Sequence, residues 1–121
     1  MKIRNVEFNF DFLDADDMER FEREAQKVKE ESEKKEKEEM TYSELLRAEC
    51  KIIDNFFDNV FGEGAAKKVF KGKNNLSEHI KAFEDIVNEK IAQQRELNNT
   101  FERYQPNREQ RRYNQFNKRK K

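Results

Sequence analysis

The chain has 121 residues, a formal net charge of zero, 43% charged residues and only 34% apolar ones. That is enough for one domain with appendages, and a mean hydropathy of −1.29 leaves part of the chain in solvent. No apolar run approaches the roughly 18 residues that a membrane-spanning helix needs, and the single cysteine, Cys50, excludes an internal disulfide. The N-terminus lacks the apolar core of a secretory signal. The reading is a reduced, intracellular (cytoplasmic) protein with no membrane partner. Zero net charge hides a polarity. Residues 1–40 carry 9 basic and 14 acidic groups, residues 41–97 carry 9 and 10, and residues 98–121 carry 8 and 2. An acidic front and a basic end suggest head-to-tail contacts, or an anionic partner for the end.

Taken in order, residues 1–13 read as an extended apolar segment. Val6, Phe8, Phe10 and Phe12 alternate with polar residues, the period of a strand with one buried face. No second convincing strand is evident. The segment therefore pairs with another copy, pairs with a partner, or lies across helices as an apolar clip. Residues 14–102 read as a helical domain, with helices at about 14–39, 42–61, 65–70 and 76–101. Asp14 or Asp16 caps the first helix, and the acids there suit the helix dipole. Met18, Phe21, Ala25 and Val28 form its narrow apolar face. Beyond Val28 only charges remain, with Glu30–Lys34, Glu31–Lys35 and Glu33–Lys37 at i,i+4, so residues 29–39 read as a solvated extension or linker.

Thr41 and Glu44 fit a capping box for the second helix. That helix holds the densest apolar block: Ile52, Ile53, Phe56, Phe57, Val60 and Phe61, in two adjacent stripes. So wide an apolar arc needs cover on more than one side, and a partner is one source of it. Gly62 is the natural stop, and Gly72 ends the short third helix. Asn74 or Asn75 caps the fourth, whose apolar positions are Leu76, Ile80, Phe83, Val87 and Ile91. Residues 103–121 break the pattern at Pro106 and read as a basic flexible tail. The fold class is all-α: a small helical bundle with an extended N-terminal segment and that tail.

No catalytic residue, metal site or cofactor is read from the sequence. His79 lies between Glu78 and Ile80 near Lys81 and reads as a surface residue. Cys50 reads as a small buried hydrophobe. Asp11, Asp14, Asp16 and Glu19 lack the glycine and spacing of a calcium loop and read as a helix start. The tail interleaves Arg108, Arg111, Arg112 and Lys118–Lys121 with Tyr104, Tyr113 and Phe116. That mixture suits solubility, an acidic protein surface, or single-stranded nucleic acid. Nothing else in the chain extends a nucleic-acid footprint, so a nucleic-acid-binding regulator, or a scaffold that self-associates through its helices, is the runner-up.

The stretches FNFDFLDADDMERFE, FFDNVFGEGAAKKVF and YQPNREQRR resemble the small helical tail assembly chaperones of long-tailed phages and prophages of Gram-positive bacteria. The resemblance covers most of residues 6–112 and rests on no catalytic motif. It implies a binding protein that coats the long tape-measure protein, keeps it soluble in the host cytoplasm and helps bring tail tube subunits to it. It also implies a second, longer product made by frameshifting near the basic end. In that reading Phe56, Phe57, Val60, Phe61, Phe70, Ile80, Phe83 and Val87 supply core and partner-binding surface. Arg108, Arg111 and Arg112 serve tail docking. Surplus apolar helix surface further suggests a homo-oligomer.

Overall fold

In the computed structural model, residues 1–104 are described. A two-stranded hairpin, β1 (Lys2–Ile3) and β2 (Val6–Glu7), precedes four helices: α1 (Ala15–Glu36), α2 (Tyr42–Phe61), α3 (Ala65–Phe70) and α4 (Leu76–Tyr104). The fold is an all-α bundle arranged around α2. No helix among the described residues is long and apolar enough to cross a membrane.

The breadth of the α2 arc decides the packing. Ile52, Ile53, Phe56, Phe57 and Val60 are all buried, and only Phe61 is partly so. Cover comes from four parts of the same chain, each bringing an aromatic ring. From α1, Phe21 meets Phe56 edge-on at 5.8 Å; from α3, Phe70 meets Phe57 edge-on at 5.1 Å. From α4, Phe83 packs on Phe56 at 4.9 Å. The N-terminal segment closes the last side, where Phe8 stacks on Phe61 at 4.6 Å, Phe10 meets Phe61 at 5.2 Å and Phe12 meets Phe21 at 5.1 Å. The cover that a partner was expected to share is thus largely supplied from within.

The N-terminal segment corrects the expectation of a lone strand. Lys2–Ile3 is the second strand, and it pairs antiparallel with Val6–Glu7. Arg4 and Asn5 both take positive φ, 49° and 68°, the backbone of a two-residue hairpin turn that matches strand twist. After the hairpin, Phe8, Phe10 and Phe12 run across the helices as the clip, all buried. A two-residue strand is too short to show a convincing alternation, which is why the sequence pattern missed it.

Asp14 caps α1, its carboxylate accepting from the Asp17 N–H at 3.0 Å. The helix ends at Glu36, and the three i,i+4 pairs expected in its charged half do not form. Lys35 pairs with Glu38 instead, at 3.4 Å. That half is not wholly solvated either, since the Ser32 hydroxyl donates to Glu49 Oε2 on α2 at 2.8 Å. Thr41 caps α2 by accepting from the Glu44 N–H at 3.2 Å. Gly62 ends α2 at φ 115°, a conformation that side chains rarely adopt. α3 ends on Lys71 in the left-handed region, one residue before the expected Gly72. Asn75 caps α4 by accepting from the Glu78 N–H at 3.0 Å.

Cys50 is fully buried on α2. Burial, with the charges of Asp54 and Glu49, pushes its thiol pKa up and keeps it protonated. Glu24 of α1 is 4% exposed and accepts from Asn59 Nδ2 of α2 at 3.0 Å, Lys27 Nζ at 3.2 Å and Arg23 Nε at 3.3 Å. Burial alone would raise its pKa, but the three donors and the Lys27 charge outweigh burial and hold it below the ordinary value.

Two outcomes are expected. A lowered folded pKa makes the Glu24 contribution fully present above the unfolded carboxylate pKa, and it is lost as pH falls through the folded value. Glu24→Gln should cost about 1–2 kcal/mol at pH 7 and flatten the loss of stability on the acid side of about pH 4. Urea melts of both proteins at a series of pH values measure this. Phe10→Ala should cost about 3 kcal/mol, as a core residue would. A melting temperature unchanged from the parent would show the clip to be detachable.

Candidate functional site

The first turns of α2 and α4 leave an open groove between them. Leu46 and Leu76 form its half-buried floor, and Tyr42 and Ile80 stand on its walls, 75% and 43% exposed. The space is about 640 Å³, rimmed by Ser77, Lys81 and Glu84. Tyr42 and Leu46 are one helical turn apart on α2, as Leu76 and Ile80 are on α4, so each helix contributes one ridge.

What positions the α4 wall is His79, which lies between Leu76 and Ile80 but points inward. Its side chain is fully buried, against the surface position read from sequence. The imidazole stacks on Phe70 with ring centres 3.7 Å apart and planes 9° from parallel. Nδ1 faces the Asn75 carbonyl at 2.7 Å, and Nε2 faces Asp54 Oδ1 at 2.8 Å. Both partners are acceptors, so whichever ring nitrogen carries the hydrogen donates to the partner it faces. His79 thereby ties α4 to α2 through Asp54 and to α3 through Phe70. The neighbours Glu78 and Lys81 suggested a polar face, but the residue in register with Ala82 and Ile86 is His79 itself. All three are buried.

Beside the groove, sharing Asn75 with it, lies a cavity of about 390 Å³ lined by Arg4, Lys71 and Lys73. Arg4 pairs with Glu78. Lys71 and Lys73 pair with no carboxylate among the described residues. An apolar groove next to unpaired cations can take apolar side chains and a neighbouring acidic group.

The residues expected to bind a partner divide sharply. Phe56, Phe57, Val60 and Phe70 are buried core, closed off by the rings around them. Phe61 is partly buried under Phe8 and Phe10, and Phe83 and Val87 are partly buried too. Only Ile80 stands in the open groove. Tyr42 and Leu46 were not singled out. Their i,i+4 spacing ahead of the apolar block was the available signal, hidden because Tyr42 looked like part of a cap. Arg108, Arg111 and Arg112 lie outside the described residues.

Fold and groove together define a small all-helical protein with an open, partly apolar groove between α2 and α4. The chain belongs to the DUF6673 family, a family of unknown function, through a match that spans residues 4–115. No curated protein and no solved structure matches it.

The groove and its support should respond differently to substitution. Ile80→Asp should change folding stability by about 0.5 kcal/mol or less, as at an exposed site. His79→Ala removes a buried ring and leaves the Asp54 carboxylate without its partner, at a cost of about 3 kcal/mol. Parallel denaturant melts of the two variants check the contrast.

Proposed function

We propose that this chain is a tail assembly chaperone of a long-tailed phage or prophage, acting in the host cytoplasm. It binds the tape-measure protein, keeps it soluble and assists tail tube assembly. The observation that carries the reading is the open groove of Tyr42, Leu46, Leu76 and Ile80 at the end of an otherwise closed core. A groove between two helix ridges suits one amphipathic partner helix, taken through apolar side chains at i and i+4. Lys71 and Lys73 beside it favour a partner helix with acidic residues on its flank. The resemblance of FFDNVFGEGAAKKVF and YQPNREQRR supplies the biological context. Phe56 and Phe57 are buried, so in this reading they support the fold and do not touch the partner.

The test is co-expression with the tape-measure protein encoded in the same genome. The parent chain should bring that protein into the soluble fraction and co-purify with it. A variant carrying Leu46→Asp and Ile80→Asp should lose at least tenfold of the co-purified protein while keeping its own melting temperature within a few degrees. A tape-measure protein that stays insoluble with the parent chain, or that the variant solubilises equally, rejects the reading. The runner-up, a nucleic-acid-binding regulator, predicts instead a DNA or RNA affinity that falls steeply with salt.

A further inference from the structure

One face of α4 stays largely open along the helix. Ile80, Glu84, Val87, Ile91, Gln94, Asn98 and Phe101 are spaced 4-3-4-3-4-3, the seam of a helix that pairs with another helix. Ile80, Ile91 and Phe101 are 43%, 44% and 57% exposed, and Val87 is half-buried. The helix packs on its own body through a different face, that of Ala82 and Ile86. A third side, with Glu89, Gln93, Glu96 and Thr100, borders a second open space of about 530 Å³ beside Asp11 and Leu13. By helical periodicity that side lies opposite the seam. At its N-terminal end the seam runs into the first groove, which Ile80 and Glu84 also line.

The seam complements itself when reversed. Laid antiparallel, two copies can set Val87 of each against Ile91 of the other. That one choice fixes the remaining layers. Glu84 meets Gln94, Ile80 meets Asn98, and Phe101 meets Ser77. Ser77 is a small residue on the wall of the groove, between Leu76 and Ile80, and the groove's space of about 640 Å³ has room for a ring. In the same register Arg95 of one copy comes alongside Glu84 of the other. Within one chain these two are eleven residues, about 16 Å, apart along the helix and too far to pair. Neither forms an ion pair among the described residues. A parallel pair would instead set Glu84 against Glu84 and leave the groove empty. Gln94 and Asn98 are the polar seam positions that cost stability and specify register.

We infer that the seam is covered by a second copy of this chain: two α4 helices pair antiparallel along it, and Phe101 of each seats in the Tyr42–Ile80 groove of the other. The contact is isologous and closes as a dimer. It leaves the acidic space around Asp11, Glu89 and Glu96 untouched. A second copy and the partner helix proposed above compete for the same groove, but the inference does not rest on that partner.

The experiment uses the full chain of 14.7 kDa in sedimentation equilibrium over a range of concentrations. The mass should rise to twice that value. Ile91→Asp should weaken self-association about tenfold or more and leave the melting temperature of the chain unchanged. Glu84→Arg and Arg95→Glu should each weaken it too. Both together in one chain should restore it, because each pair is rebuilt with its signs reversed. Cross-linking reads the orientation. Chains with Glu84→Cys mixed with chains with Gln94→Cys should join through a short bismaleimide. Neither variant alone should join to itself, since two copies of position 84 then lie about 15 Å apart. Cys50 is buried and its thiol is held protonated, so it does not compete for the reagent. A strict monomer, a dimer indifferent to Ile91→Asp, a double charge reversal that restores nothing, or cross-links within one variant alone overturns the inference. None of these measurements contains the tape-measure protein, so this inference and the reading above fail separately.

Discussion

The structure depends on one constraint, the width of the apolar arc on α2. Phe56 and Phe57 are adjacent in sequence, so their rings leave the helix in different directions and still meet edge-on at 5.9 Å. No single neighbouring helix covers both. Burying each phenylalanine contributes about 1.5–3 kcal/mol, and each edge contact adds about 0.5–1.5 kcal/mol beyond area. The chain meets the demand with Phe21, Phe70, Phe83 and the Phe8–Phe10–Phe12 clip. These rings form one contiguous set around α2. Removing any cover would therefore expose an α2 ring. The open grooves lie away from this arc: beside the first turn of α2, and along α4 beyond its packed half.

The same stretch of α2 also directs its neighbours through polar groups. In the run Asp54–Asn59, the two phenylalanines enter the core while three polar side chains on the flanks each reach a different helix. Asp54 meets His79 of α4 at 2.8 Å. Asp58 accepts from the Ala66 N–H at 3.0 Å and so caps α3, whose own cap residue is a glycine with no side chain to offer. Asn59 donates to Glu24 of α1 at 3.0 Å. Hydrophobic cover is non-directional and would allow α1, α3 and α4 to slide. One hydrogen bond to each, with its narrow range of distance and angle, removes that freedom.

Much of this was legible in the sequence where a local rule operates. Asp14, Thr41, Gly62 and Asn75 mark helix ends because capping chemistry depends on a few neighbouring residues. The four helices follow from apolar spacing for the same reason. What was not legible depends on distant residues. His79 has charged neighbours on both sides in the helix, and its burial is decided by Asp54 and Phe70, 25 and 9 positions away. The β1 strand is two residues long and shows no period of its own. Phe56 and Phe57 carried the right physics, an arc too wide for one neighbour. The inference that a partner helps cover them overlooked how much area three phenylalanines of a 13-residue leader can bury. Ile80 was read as one apolar position of α4 and stands exposed in the groove, while Tyr42 was hidden within a capping sequence.

α4 is where the two scales of the molecule meet. Its first half is held by the His79 clamp and by Ala82, Phe83 and Ile86 against α2. Its second half meets the body through Gln93 on the Phe12 N–H and Lys90 over the Phe21 ring, and it leaves Ile91 and Phe101 exposed. A 29-residue helix is about 43 Å long and rigid at this scale. Its two grooves therefore keep a fixed separation and cannot merge into one site. They also differ in sign, with Lys71 and Lys73 beside one and Asp11, Glu89 and Glu96 around the other. Lys71 and Lys73 precede α4 and Asp11 lies in the N-terminal segment, so the difference in sign comes from the segments that flank α4 as well as from Glu89 and Glu96 on it.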